Sequence, residues 1–441
     1  MKKPELLLPA GDMEKLKIAF KYGADAVYAG VPYFSLRARE NQFQLQGIRE
    51  AVEYVRSIGK TIYLTLNIVP HNVKIEPLKK ALPMMAALKP DAFIVSDPGI
   101  IALCKEICPE IPLHLSVQAN NVNYAAIKFW HSMGIERAIL SREISIKEIK
   151  EIHEQVPEIE LECFVHGAIC MAYSGRCLLS NYFSYRDANQ GTCAHSCRWQ
   201  YKVYKENEEN KEYEALGLKK EMTHDGVYDA KYKPLEGKYY LEEGKRQGDK
   251  LEIDEDEFGT YIMNSRDLCA VEYIKELMDA GVISFKIEGR SKTIHYVAST
   301  ARVYRKAIDE ASEGKSPSFD YLTELAKTAN RGYIPGFLVA NPKEKAQYYE
   351  KNVPFQTHKF MGVVRNVKED GFCEVEIRNR LEKNSEIEVF GPKTEEDFSQ
   401  KVKELKNLKG EDVDVAHGGD KNVLIKFDKK IDVDYMLRQR V

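Results

Sequence analysis

Residues 5–30 read ELLLPAGDMEKLKIAFKYGADAVYAG, and the periodicity of this stretch changes twice. The run 5–11 is apolar and closes on Gly11. From 12 to 22 apolar residues recur three and four apart behind Asp12, and 24–30 is again a short apolar run ending in glycine. Strand, amphipathic helix and strand, joined by links this short, predict parallel pairing with a helical crossover. The same unit recurs along the chain. Further β-rich runs lie at 61–67, 91–99, 113–120, 136–143, 161–167, 259–265 (GTYIMNS) and 283–289, with helical patterns at 46–58, 121–134 and 267–280. About eight units predict a TIM-like (β/α)8 barrel, with an open doubly wound sheet as the alternative. Nine runs compete for eight places, and the first run and GTYIMNS fit least well.

The chain divides around this pattern. Residues 1–313 form the expected βα-barrel domain, whose last helix, at 292–313, shows Val297, Ala301, Tyr304 and Ile308 on one face. Residues 198–258 are charged and poor in Leu, Ile and Val, which predicts an exposed insertion with hairpins such as KYYLEEGKR. Residues 314–354 read as a connector with a short helix near 319–329. From 355 to 441 the period becomes two, in KFMGVVRNV, GFCEVEIRN, SEIEVFG and NVLIKFD, which predicts a small all-β barrel domain.

Composition narrows the function. The 441 residues carry a net charge of -3, so any nucleic-acid binding must come from a local patch. The amino-terminal apolar run is too short for a signal peptide, and no later run reaches 18 apolar residues. These features predict a cytoplasmic protein with no membrane association, in which structural disulfides are not expected.

Five of the 9 cysteines nevertheless fall within residues 162–197. Alternation places Cys163 and Val165 on one face of the run 161–167, and Phe164 and His166 on the other. Cys170, Cys177, Cys193 and Cys197 follow with the spacing C-x6-C-x15-C-x3-C, beyond the carboxyl end of that run. In βα barrels that end is the catalytic face. Four clustered thiolates require a cation, and zinc or an iron–sulfur cluster would supply it. The absence of C-x2-C and C-x4-C pairs leans toward iron–sulfur. Buried, unligated thiols are the third reading.

The stretch ECFVHGAICMAYSGRCLLS, Glu162 to Ser180, resembles the signature of the collagenase-like peptidase family of unknown catalytic type. It matches E-x-F-x(2)-G-[SA]-[LIVM]-C-x(4)-G-x-C-x-[LIVM]-S at every position. The stretches SVQANNVN, GTCAHSCRWQY, YIMNSRDLC, FKIEGR and RGYIPGF extend the resemblance over nearly the whole chain. Length and the C-terminal β module are most similar to the branch that makes 5-hydroxyuridine at the tRNA wobble position with prephenate. The resemblance implies a 4Fe-4S cluster on Cys170, Cys177, Cys193 and Cys197, with Cys269 as the reserve fourth ligand and zinc as the alternative metal. It also implies tRNA and a small dicarboxylate as partners, with an electron donor or a paralogous subunit beside them.

A dicarboxylate needs cationic receptors, and arginine forks suit it. Arg37, Arg39, Arg142, Lys286 and Arg290 lie at or just beyond predicted strand ends. Asn67, Gln118, Asn120 and Asn264 also sit near strand ends, where they can read a base edge or cap loops. His166 is the expected contact to the cysteine loop or the substrate. Tyr173, Tyr182, Phe183 and Tyr185 interleave with Arg176, Arg186 and Arg198, a mixture suited to stacking an extruded base or to packing around a cluster. Arg365, Arg378, Arg380 and Lys383 in the β module are candidates to grip the tRNA body. A peptidase is the alternative enzyme, although neither H-E-x-x-H nor G-x-S-x-G occurs. A non-catalytic RNA-binding iron–sulfur protein is the third reading.

Overall fold

The computed structural model describes residues 3–36, 43–169, 173–177, 180, 188–190, 192–193, 265–339 and 355–441, and, by backbone alone, short strands between 204 and 261. Eight parallel strands follow one another around a barrel. They are β1 (Glu5–Ala10), β2 (Ala26–Gly30), β3 (Thr61–Leu66), β4 (Ala92–Val95), β5 (Leu113–Leu115), β6 (Arg137–Ile139), β7 (Glu160–Ala168) and β8 (Val282–Ile287). Strand β8 pairs with both β1 and β7, which closes the ring.

Eight helices cover the ring: α1 (Met13–Lys21), α2 (Leu45–Ser57), α3 (Ile75–Ala86), α4 (Pro98–Ile107), α5 (Tyr124–Ser132), α6 (Ile146–Gln155), α7 (Ile274–Asp279) and α8 (Ile294–Ser312). Polar residues start several of them. Asp12, Asp97, Asn123 and Thr293 each accept a first-turn N–H, and Ser145 with Glu148 forms a reciprocal capping box. The main apolar core lies between the strands and these helices, whereas Leu7, Tyr28, Tyr63, Ile94, Val117 and Ile139 form a smaller cluster inside the ring.

Two expectations are corrected. The run GTYIMNS is not a barrel strand. Gly259–Tyr261 pairs antiparallel with Lys250–Asp256, which in turn pairs with Tyr239–Glu242 in a sheet of the insertion. The first run, by contrast, is β1. The helical pattern at 267–280 resolves into a strand, Asp267–Cys269, and then the short helix α7. That strand runs antiparallel to the end of β7.

The predicted small β-barrel takes the form of a curled seven-stranded antiparallel sheet. Its order is Phe398–Lys401, Glu386–Phe390, Met436–Arg440, His358–Val367, Phe372–Ile377, Val423–Lys426 and Leu405–Asn407. It has its own apolar cluster around Val375, Val389 and Leu437. Its other face packs on the barrel domain, where Val363, Phe390 and Met436 join the main core. Arg302 on α8 bonds Asp397 at 2.8 Å, and Tyr22 donates to the Asp434 carbonyl at 2.8 Å. Buried Arg438 contacts Glu324 at 2.7 Å. No helix among the described residues is long and apolar enough to cross a membrane.

Candidate active site at the mouth of the barrel

The interior of the ring carries charge. Glu162 on β7 is fully buried, and its carboxylate accepts from Lys286 Nζ at 2.7 Å and from Arg137 at 3.3 Å. Arg137 also bonds Glu5 and Glu160 at 2.8 Å, while Tyr63 donates to Glu5 at 2.7 Å and Ser284 to Glu5 at 2.8 Å. Burial opposes the positive charge of Arg137, but Glu5 and Glu162 outweigh it and hold the guanidinium more firmly protonated than usual. Burial pulls the Lys286 ammonium down, with Glu162 resisting. His114, 4.7 Å from the Tyr63 ring, is held neutral by burial and by the nearby Arg137 and Lys286.

Above this floor opens a cavity of about 230 Å³ at the carboxyl ends of the strands. Among the described residues three cations reach it: Lys286 and Arg290 from β8 and the loop after it, and Arg142 from the end of β6. Each is held in place. Lys286 Nζ lies 4.5 Å from the centre of the Tyr28 ring, and Arg142 stacks 3.7 Å over Phe164. Arg290 reaches Thr65 at 3.5 Å and the Leu36 carbonyl. Glu288 is the carboxylate among the described lining residues. Asn67 and Gln118 supply amides: Asn67 Nδ2 donates to Gln118 Oε1 at 2.8 Å, and Gln118 Nε2 donates back to the Asn67 carbonyl at 2.6 Å.

Cys177 and Cys193 line the same cavity, and the ends of β5 and β6 explain how Cys177 gets there. Glu143 accepts the Ser174 N–H and hydroxyl, both at 3.0 Å. Asn120, in the left-handed region at φ 56°, donates to the Ser174 carbonyl at 2.7 Å and accepts from Arg176 at 2.6 Å. Gly175, at φ 74°, lies so close to Gln118 that a Cβ would sit 2.5 Å from its carbonyl oxygen. Across the loop, Asn189 accepts the Val69 N–H at 3.0 Å and donates to the Cys177 carbonyl at 3.5 Å. The motif residues Glu162 and Gly175 therefore have structural reasons. Gly167 has one too, since its φ of 110° and the closeness of Glu288 leave no room for a side chain.

The sequence-predicted residues separate into groups. Cys177, Cys193, Lys286, Arg290, Arg142, Asn67 and Gln118 converge on the cavity. Arg37, Arg39, Asn264, Cys170 and Cys197 lie outside the described residues. The expected position of His166 is corrected. The β7–β8 ladder pairs Phe164 with Lys286 and His166 with Ile287, so Val165 is an extra residue that breaks the alternation. Phe164 stays in the cavity wall, while the His166 ring turns outward among Tyr296, Tyr304 and Tyr333, at 5.7, 5.4 and 5.2 Å. Cys269 lies in the same outer layer, 3.5 Å from the Tyr304 hydroxyl, and is not a wall residue of the cavity. Of the β-module cations, Arg365 is taken up by Glu14 and Glu376, Arg378 by Glu376 at 2.9 Å, and Arg380 by Glu382. Sequence reasoning missed Glu5, Tyr63, His114 and Arg137. Their only local signal is a polar residue inside an apolar run.

The two thiols that reach the cavity are half-buried and open to one shared space, which fits metal ligands better than inert core cysteines. Among the described residues no group of three or more His, Cys, Asp or Glu side chains forms a metal site.

Residues 11–348 match Peptidase family U32, and residues 356–438 match the Peptidase family U32 C-terminal domain. The chain belongs to the U32 peptidase family. It is 42% identical to tRNA hydroxylation protein P of Escherichia coli, over 100% of this chain and 97% of that protein. It is 37% identical to tRNA hydroxylation protein P1 of Bacillus subtilis, over 99% of this chain and 95% of that protein. A relative from Porphyromonas gingivalis named Collagenase is 29% identical, over 91% of this chain and 90% of that protein.

Proposed function

We propose that this protein hydroxylates tRNA, placing oxygen on C5 of the wobble uridine with prephenate as the oxygen-donating co-substrate. The observation that carries the reading is one cavity with Cys177 and Cys193 on its wall and Lys286, Arg142 and Arg290 around its floor and rim. Full-length relatives named as tRNA hydroxylation proteins support the choice of reaction.

Each residue has a role in this reading. Lys286, fixed by Glu162, and the two arginines bind the carboxylates of the co-substrate. Asn67 and Gln118 hold each other in fixed orientations and present polar atoms to a base edge or a hydroxyl. Ile94, Val117, Ile139 and Phe164 exclude water from the lower part of the cavity. Tyr173, exposed and on the cavity wall, offers a stacking face to an extruded base. Cys177 and Cys193, with Cys170 and Cys197, would hold a 4Fe-4S cluster, and such a cluster supplies electron transfer when bound.

The peptidase reading gains no comparable support. No histidine lines the cavity among the described residues, and His166 faces the tyrosine layer instead.

Nucleoside mass spectrometry of tRNA from cells with and without the gene tests the proposal. We expect 5-hydroxyuridine to fall on deletion and to return with the wild-type gene. It should not return with Lys286→Met. An unchanged nucleoside pool in the deletion strain rules the reading out.

A further inference from the structure

We propose a second site, a phosphate-binding cleft between the barrel and the β module that takes the backbone of the same RNA whose base enters the cavity. This inference rests on the tRNA reading above.

A cavity of about 780 Å³ lies between the loop after β8, the start of α1 and the strands of the C-terminal sheet. The loop that bears Arg290 toward the active site continues into Ser291, Lys292 and Thr293, which line this cleft. Lys15, on the cleft wall, donates to the Arg290 carbonyl at 3.4 Å. One short segment thus separates the two spaces. A smaller cavity of about 380 Å³ continues the cleft across the β module and shares Lys359 and Asn379 with it.

The charge of the cleft is not cancelled. Lys15 is engaged by Asp12 at 3.1 Å, and Glu14 by Arg365. Lys292 and Lys359, one from each domain, line the cleft and have no carboxylate within ion-pair distance among the described residues, and Lys292 Nζ lies 5.2 Å from the centre of the Tyr296 ring. The first turn of α8 forms part of the wall, where Thr293 caps the Tyr296 N–H and the helix presents the positive end of its dipole. His295 lines the cleft and is 5% exposed, and its Nε2 has no hydrogen-bond partner among the described groups. Two cations without a carboxylate partner among the described residues, beside a helix amino terminus, suit a phosphodiester. The short link to the active-site cavity suits a polyanion that occupies both spaces at once.

The test is binding of bulk tRNA to the full-length protein by fluorescence anisotropy over a range of potassium chloride concentrations. For Lys292→Ala with Lys359→Ala we expect affinity to fall by about ten-fold or more, and the salt slope to shrink by about two, one per lost phosphate contact. A control pair on the outer helices, Lys150→Ala with Lys275→Ala, should bind as wild type does. The iron content and melting temperature of the cleft variant should equal wild type, which separates lost contacts from lost folding. Wild-type affinity and slope in the cleft variant overturn the proposal, as does failure of the wild-type protein to bind tRNA. If the cleft variant loses affinity while cellular 5-hydroxyuridine proves independent of the gene, the cleft stands and the hydroxylation reading falls.

Discussion

Lys286 Nζ lies 2.7 Å from a carboxylate oxygen of Glu162, on neighbouring strands inside the barrel, and neither side chain has more than 4% of its surface exposed. The pair sits under the cavity and joins the floor of the candidate site to the stability of the barrel.

Glu162→Gln should therefore destabilise the fold strongly. It leaves Lys286 and part of the Arg137 charge buried without their counter-ion, a loss on the order of 3 kcal/mol or more. Lys286→Met should cost less, because Glu162 keeps Arg137 at 3.3 Å. Urea unfolding of both variants reads the difference, and equal losses would refute this ranking.

Acid should weaken the protein before its carboxylates titrate. Burial, followed by Lys292, pushes the His166 pKa down to about 3, and burial, followed by Arg438 and Arg302, does the same for His295. Both are neutral in the fold and take up a proton near pH 6.5 once unfolded. Their stabilising effect is complete above pH 6.5 and is lost as pH falls from there toward 3, at up to about 1 kcal/mol per pH unit for each histidine. Urea midpoints between pH 7 and pH 4 should fall accordingly, and less steeply in His166→Phe.

The two cavity thiols should behave differently from Cys269. In anaerobically purified protein, Cys177→Ser and Cys193→Ser should lower iron and sulfide content and the broad absorbance near 400 nm. Cys269→Ser should keep both, because that thiol lies in the outer layer beside Tyr304. Stoichiometric zinc in a colourless wild-type preparation would contradict the first expectation. Equal iron loss in all three variants would contradict the second.

Gly175→Ala should disturb the cysteine loop more than Gly59→Ala disturbs its helix end. Both glycines have positive φ, at 74° and 65°, but the new Cβ meets the Gln118 carbonyl in one case and open space in the other. Gly59→Ala should cost about 1 kcal/mol of stability and leave iron unchanged. Gly175→Ala should lower iron content as well, because Cys177 is two residues away.

Much of this architecture was legible in the chain, for identifiable reasons. The barrel strands are buried on both faces, so they appear as short apolar runs between polar helix caps. GTYIMNS has the same composition, but its hydrogen bonds go to Lys250–Asp256 in the insertion, a non-local choice that no local pattern encodes. The strand Asp267–Cys269 is too short to show a period. The extra residue at Val165 defeats an alternation argument, which assumes an unbroken ladder and so puts His166 on the wrong face. The buried charges were hidden for a different reason. Glu5, Arg137, Glu162 and Lys286 are far apart in sequence and meet only when the ring closes. Among the β-module arginines, Arg365 has its carboxylate partners on the neighbouring strand and on α1, which no local pattern shows, whereas Arg378 and Arg380 pair with Glu376 and Glu382 only two residues away.

Helix α8 packs Tyr296 and Tyr304 against the end of β7 and sets His295 and Arg302 into the C-terminal sheet, where the His295 ring stacks on Phe360. The sheet is therefore not a pendant on a tether, because its inner face, with Val363, Phe390 and Met436, is built into the barrel's main apolar core. The gap between active-site cavity and interdomain cleft is set like the jaws of a caliper. A substrate is then gauged by its own dimensions, by whether one part can fill the first jaw while another rests in the second.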